Sequence, residues 1–191
     1  MLEYPEVMTL MRQGSEALTG KTAARVDPPS KPHRFCFFAG DPADYDGRLR
    51  GAAVIGSAGF GLFAELVFDN GLRLCVNDGV NVRLTDAPPA AYQLLMTFTD
   101  GTCLTFTVAM YGSILLHDGT LDNDYYRRSA SAVDPLSADF PAVYAAALAA
   151  CKPTLSAKAF LATEQRFPGI GNGVALDILF DAGIHPKRKL A

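Results

Sequence analysis

The sequence predicts an α+β protein: an N-terminal helix, a β-sandwich domain, and a helical module at the end. Three observations carry this. Apolar residues recur at helical spacing within the first eighteen positions. From about residue 22 to 116, short apolar runs are separated by glycine turns, the signature of a sandwich or barrel. After a polar stretch, helical spacing returns and runs to the end.

The first helix is expected over 5–18. Pro5 suits its first turn, and Val7, Leu10, Met11 and Leu18 fall on one face. LFAELVF and LRLCV flank Asp69-Asn70-Gly71, a hairpin signal, and LLMTFT and CLTFTVAMY flank Asp100-Gly101, a second one. Asp41–Leu49 reads as a short helical insertion. HDGTLDNDYYRRSASAVDP is polar and rich in turn residues, so 117–134 is expected to be a linker. Three helices follow, near 138–150, 154–165 and 173–182. Pro141 belongs in a first turn, Thr154 is the expected cap of the second helix, and Gly183 and Pro186 end the third. The expected division is 1–133 for the β-domain and 134–191 for the helical domain.

Composition narrows the functional classes. No apolar run is long enough to cross a membrane, and MLEYPEVMTL is not a secretory leader. Cys36, Cys75, Cys103 and Cys151 are scattered, with no C-x-x-C pair, and are expected to be buried reduced thiols of a cytoplasmic protein. His33, His117 and His185 stand apart, so no metal site and no cofactor are expected. The net charge of −3 is unevenly spread. Residues 1–150 hold 11 Lys+Arg against 17 Asp+Glu, and residues 151–191 hold 6 against 3. A basic end on an acidic body points to local anion binding.

The turn Pro168-Gly169-Ile170-Gly171-Asn172 sits between two of the expected helices. Unpaired N–H groups at a helix start carry partial positive charge, and glycines let an anion approach them. With Asn172 and Lys158 nearby in sequence, the set suits one phosphate. The alternative is a tight helix–helix corner with glycine there for packing.

Residues 154–188 resemble the helix-two-turn-helix module of the formamidopyrimidine-DNA glycosylase / endonuclease VIII family of base-excision repair enzymes. Lys158, the G-x-G-N turn at 169–172, ALDILFDAGI and His185-Pro186 carry the likeness. MLEYPEV is similar to that family's M-P-E-L-P-E-V, with Glu3, Pro5, Glu6 and Val7 in register, and Asp134-Pro135-Leu136-Ser137 resembles its entry into the helical domain. The resemblance implies that Lys158, the Gly171 backbone and Asn172 grip DNA phosphates beside a damaged nucleotide. It implies Glu3 as a catalytic carboxyl handling protons at the sugar, either as a general acid or by activating water. The implied partner is double-stranded DNA carrying a damaged base or an abasic site, bound by a monomer.

Several positions depart from the family pattern. Leu2 stands where the family carries its proline nucleophile, so a secondary amine is lost and only a primary amine could take its catalytic place. Phe60 replaces a lysine. Asn77-Asp78-Gly79-Val80-Asn81-Val82-Arg83-Leu84 matches H-L-G-M-S-G-R-L, which implies Val80 as a smaller wedge for the gap of a flipped base and leaves Arg83 either a phosphate contact or a surface-exposed arginine at a strand end. Val108-Ala109-Met110-Tyr111-Gly112 matches D-P-R-R-F-G without its arginines. The family continues past His-Pro with more helices and a zinc finger or zincless equivalent. The chain is therefore expected to be truncated, with zinc confined to the missing region and Leu179 and Phe180 bared unless the β-domain covers them.

Three functions follow. The first is a repair glycosylase, with or without strand cleavage. The second is a damaged-DNA binder of the same fold without catalysis, which Leu2 and Phe60 favour. The third is a module recognising a protein or another ligand, which the acidic β-domain favours. Base release separates the first two, and steep salt dependence separates both from the third.

Overall fold

The computed structural model describes residues 2–190. Helix α1 (Tyr4–Leu18) opens the fold, with Pro5 in its first turn and Val7 and Leu18 buried. The β-region is one seven-stranded sheet rather than a two-sheet sandwich. Its strands are β1 (Ala23–Asp27), β2 (Cys36–Phe38), β3 (Val54–Phe60), β4 (Phe63–Phe68), β5 (Arg73–Thr85), β6 (Leu94–Phe98) and β7 (Cys103–His117). They run β1-β6-β7-β5-β4-β3, with β2 added parallel to β7 at Gly112–Ile114.

Two long strands explain the difference from the expected sandwich. β5 and β7 pair along almost their whole length; one half of β5 also carries β4, while one end of β7 carries β6. The sheet curls until its outer strands approach, bridging at Thr22 and Ala53, with the Ala23 N–H donating to the Ala52 carbonyl. Phe68, Phe98, Phe106, Leu74, Met96 and Ile114 fill the space inside. The insertion at 41–49 forms a 3-10 turn (Pro42–Asp44) and α2 (Tyr45–Leu49), burying Tyr45 and Leu49 against the same core.

The expected linker contains helix α3 (Asp124–Ala130), capped by Asn123, whose side chain accepts from the Tyr126 N–H. A tertiary contact holds it. The buried Tyr126 hydroxyl donates to Glu65 on β4 at 2.7 Å.

The helices α4 (Phe140–Ala150), α5 (Ala157–Ala162) and α6 (Asn172–Asp181) share a second core of Phe160, Leu161, Phe167, Ala175 and Leu179. Tyr144 stacks on Phe167 with ring centroids 5.6 Å apart. α5 begins later than expected. Ser156, not Thr154, supplies the cap, accepting from the Ala159 N–H. α6 ends in a Schellman motif: Ile184 N–H donates to the Leu179 carbonyl and Gly183 N–H to that of Phe180, with Gly183 at φ 64°. Leu179 is buried by the helical core itself, while Phe180 is 86% exposed. No helix among the described residues is long and apolar enough to cross a membrane.

Candidate nucleic-acid interface

The site forms where the N-terminus meets the helical module. Glu3 precedes α1 in an extended conformation, and its own N–H donates to the Glu6 carboxylate at 2.8 Å. Its side chain turns away to the start of α6. There its two oxygens accept from the N–H groups of Gly173 at 2.9 Å and Val174 at 2.5 Å. These are amides that no intrahelical carbonyl can satisfy, and they lie at the positive end of the helix dipole. Glu3 therefore caps a helix 170 residues away in sequence.

Tyr4 completes the clamp. Its N–H donates to the Gly169 carbonyl at 2.8 Å, and its hydroxyl donates to Asp134 at 2.7 Å. Burial, reinforced by the Asp134 carboxylate, pushes that hydroxyl up to about 12.

The glycines of the turn now have a physical reason. A Cβ on Gly171 would lie 2.3 Å from the Glu3 Oε1 atom, and one on Gly169, at φ 92°, would lie 2.4 Å from the Gly61 carbonyl oxygen. Within the protein, the backbone at 171 closely approaches a carboxylate. Asn172 stands exposed at the same corner, and its side-chain amide bonds no other described residue. Lys158 lies in the first turn of α5, which packs on α6. Neither Lys158 nor the exposed Arg83 forms an ion pair among the described residues.

Leu2 and Arg83 border one open groove of about 380 Å³ with Pro5, Glu6 and Thr9. The Leu2 side chain packs on the sheet core, and its N–H donates to the Asp78 carbonyl at 2.6 Å.

The expected wedge needs correction. Val80 is 3% exposed and belongs to the core. An irregularity in the sheet turns it inward. Asp78 pairs with Gly112 and Val80 with Val108, so one residue of β5 faces three of β7. Ala109, Met110 and Tyr111 are thrown outward instead, and Met110 is 74% exposed. The sequence hides this because strand alternation says nothing of where a register slips. Phe60 lies among Phe63 and Tyr126, in aromatic contact with both.

The fold also assembles a group that looked scattered in sequence. The ligand-type atoms of Glu65, Cys75 and His117 lie within 4.8 Å of one another, all in buried side chains. Two of the three, Glu65 and His117, already make protein contacts. Arg73 donates to Glu65 at 2.9 Å, Tyr126 donates to it, and His117 Nδ1 accepts from the Gly119 N–H at 3.1 Å. That last bond puts the ring proton on Nε2, which lies 3.3 Å from Glu65, so Nε2 has no lone pair to offer an ion. Burial raises Glu65, but the His117, Tyr126 and Arg73 contacts outweigh it and hold the carboxyl below its usual value. The cluster is a neutralised anchor between sheet and α3. Cys75 and Cys103 are buried, Cys36 and Cys151 are partly so, and all four are free thiols.

No protein-family model matches the chain. The formamidopyrimidine-DNA glycosylase of Acidiphilium cryptum is 30% identical over 192 residues, a match covering 98% of this chain and 68% of that protein. The enzyme of the same name from Methylorubrum extorquens is 29% identical, with 97% and 67% covered. Among solved structures, the Lactococcus lactis formamidopyrimidine-DNA glycosylase, bound non-covalently to DNA containing an AP site, superposes with a TM-score of 0.79. That match has 21% identity and covers 98% of this chain and 72% of that one. MutM in complex with DNA containing carbocyclic 8-oxo-G gives the same score, identity and coverage. At this identity the solved structures establish a shared fold.

Proposed function

This chain belongs to the formamidopyrimidine-DNA glycosylase family, and from that premise we propose that it binds DNA bearing a damaged base or abasic site and releases the damaged base by hydrolysis. One observation carries the reading: Glu3, beside the N-terminal segment, has its carboxylate fixed by two amides of α6. A carboxylate held in one orientation can take a proton from a water attacking the sugar C1′ while the flipped nucleotide lies over the N-terminus. Extruding that nucleotide costs a few kcal/mol, offset by phosphate contacts and by filling the gap. Asn172, Lys158 and the Gly171 backbone are proposed for one phosphate, and Arg83 for another. Met110 takes the gap-filling role that Val80, being buried, cannot.

Hydrolysis is favoured over amine attack because Leu2 offers no secondary amine and its nitrogen is engaged by the Asp78 carbonyl. AP-lyase strand cleavage would need an amine at C1′. A second reading, binding without base release, draws support from Phe60 standing at the family's lysine position and packed into an aromatic cluster.

The test uses labelled duplexes carrying 8-oxoguanine, an oxidised pyrimidine or an abasic site. Each is incubated with borohydride and, separately, scored for base release after alkali. Release without a trapped adduct is expected. A trapped adduct would replace hydrolysis with Schiff-base chemistry. No release, with salt-sensitive abasic-duplex binding that weakens on Asn172→Ala, would establish the second reading.

A further inference from the structure

Strand β2 is short, and its two faces differ. Cys36 and Phe38 pack on the sheet core, so the residues that alternate with them, Phe35 and Phe37, point away from it. They are 48% and 54% exposed. The pairing with β7 adds a third ring to the same side. Cys36 pairs with Gly112, and the Phe35 carbonyl accepts from the Gly112 N–H at 3.0 Å. Tyr111, one residue before Gly112, therefore stands beside Phe35, and it too is exposed. Three aromatic side chains thus share one open face of paired strands, an arrangement the core does not require.

The charge around this face is also one-sided. Residues 28–40 contain Lys31, His33 and Arg34 and no Asp or Glu, although residues 1–150 as a whole are acidic. Lys31 and Arg34 are exposed and form no ion pair among the described residues. The Arg34 guanidinium lies 5.2 Å from the centre of the Phe35 ring. The strip is continuous with the candidate site. Hydrogen-bonded pairs lead from Leu2 to Asp78, from Asp78 to Gly112 and from Gly112 to Cys36. Three such steps place β2 roughly 15 Å from the N-terminal segment, a few nucleotides along a DNA strand.

We infer that the outward face of β2 and β7 binds unpaired DNA bases beside the lesion, with Phe35, Phe37 and Tyr111 as stacking platforms and Arg34 and Lys31 on the backbone. The inference deepens the DNA-binding reading above and rests on it. A base inside a duplex has both faces covered by its neighbours, whereas an unpaired base has a free face to lay on a ring. Open sheets that hold single strands do so through outward aromatics and flanking cations, without regard to sequence. The substrate class this strip favours is a lesion in single-stranded or locally melted DNA.

The experiment measures binding of the full chain to one undamaged labelled sequence, as a single strand and as a duplex. The single strand is expected to bind more tightly. Phe35→Ala and Phe37→Ala should each weaken single-strand binding about 10-fold and leave duplex binding unchanged, while Phe37→Trp should keep the affinity. Both positions are exposed, so Tm should not move. Ile55→Ala, which shortens an equally exposed apolar side chain on β3, should change neither affinity. A single strand bound no better than the duplex, or equal losses on both forms, would overturn the inference. So would self-association that Phe37→Ala abolishes without any single-strand preference, which would make the strip an interface between copies. If the unaltered protein binds neither form, nor the abasic duplex, the DNA-binding reading itself fails. Because the DNA is undamaged, a failure of base release would sink the hydrolytic reading without touching this result.

Discussion

Substituting Gly171 with alanine should dislodge the Glu3 carboxylate without disturbing the backbone at 171. Gly171 has φ −93°, which alanine adopts freely. The new Cβ would lie 2.3 Å from Glu3 Oε1, 2.8 Å from Cδ and 3.0 Å from Cγ, so the carboxylate must move. Moving it strips the Gly173 and Val174 amides of their acceptor. Losing a helix cap costs about 1–2 kcal/mol, roughly 2–8 °C in Tm for a chain of this length. The assay is a double-mutant cycle read by thermal and urea denaturation: Gly171→Ala, Glu3→Ala and the pair. With Glu3 already shortened, the alanine at 171 has nothing to displace, so its cost should nearly vanish and the coupling should equal most of the single-mutant loss. Equal destabilisation by Gly171→Ala in both backgrounds would refute the steric argument. So would a single mutant as stable as the parent.

Other outcomes follow from the same geometry. Tyr126→Phe removes a 2.7 Å donor from a fully buried carboxylate and should cost about 1–3 kcal/mol in urea unfolding. Because Glu65 is held below its ordinary value, its contribution is present above the unfolded-state value, near 4.5, and is lost as pH falls through the lower folded one. Acid unfolding curves should therefore flatten below that pH in Glu65→Gln. Val80→Ala should lower stability by about 1–3 kcal/mol, as expected of a core position, with little change in lesion binding relative to its own folded fraction. Met110→Ala should do the reverse, leaving Tm unchanged and weakening abasic-duplex binding. Lys158→Ala should weaken binding to every duplex alike and reduce the salt slope by about one.

Local chemistry made much of this fold legible. Pro5 with Val7 and Leu18 marked α1, while Asn70-Gly71 and Asp100-Gly101 marked two hairpins that the sheet contains. Contacts between distant residues were not readable. Helix α3 is short and polar, and its anchor Glu65 lies 61 residues before Tyr126. The sheet curls into one piece because β5 and β7 pair throughout, which no single strand pattern announces. At the candidate site, Glu3 and the glycine turn could each be singled out in the sequence, but not their contact, since nothing local says which anion fills a helix start. Val80 was misplaced because a register slip exchanges the faces of a strand.

The bond from Glu3 to α6 also has a consequence in time. The third residue made must wait for residues 173 and 174, a delay of roughly 10–30 s at ordinary rates of translation. Through that interval the curled sheet can close around its own aromatic core, while the corner at the N-terminus stays open. Closure of the corner between Glu3 and α6 thus follows that of the sheet, and a nascent chain stalled before α6 would carry a folded sheet with the Glu3 carboxylate still without its two amide donors.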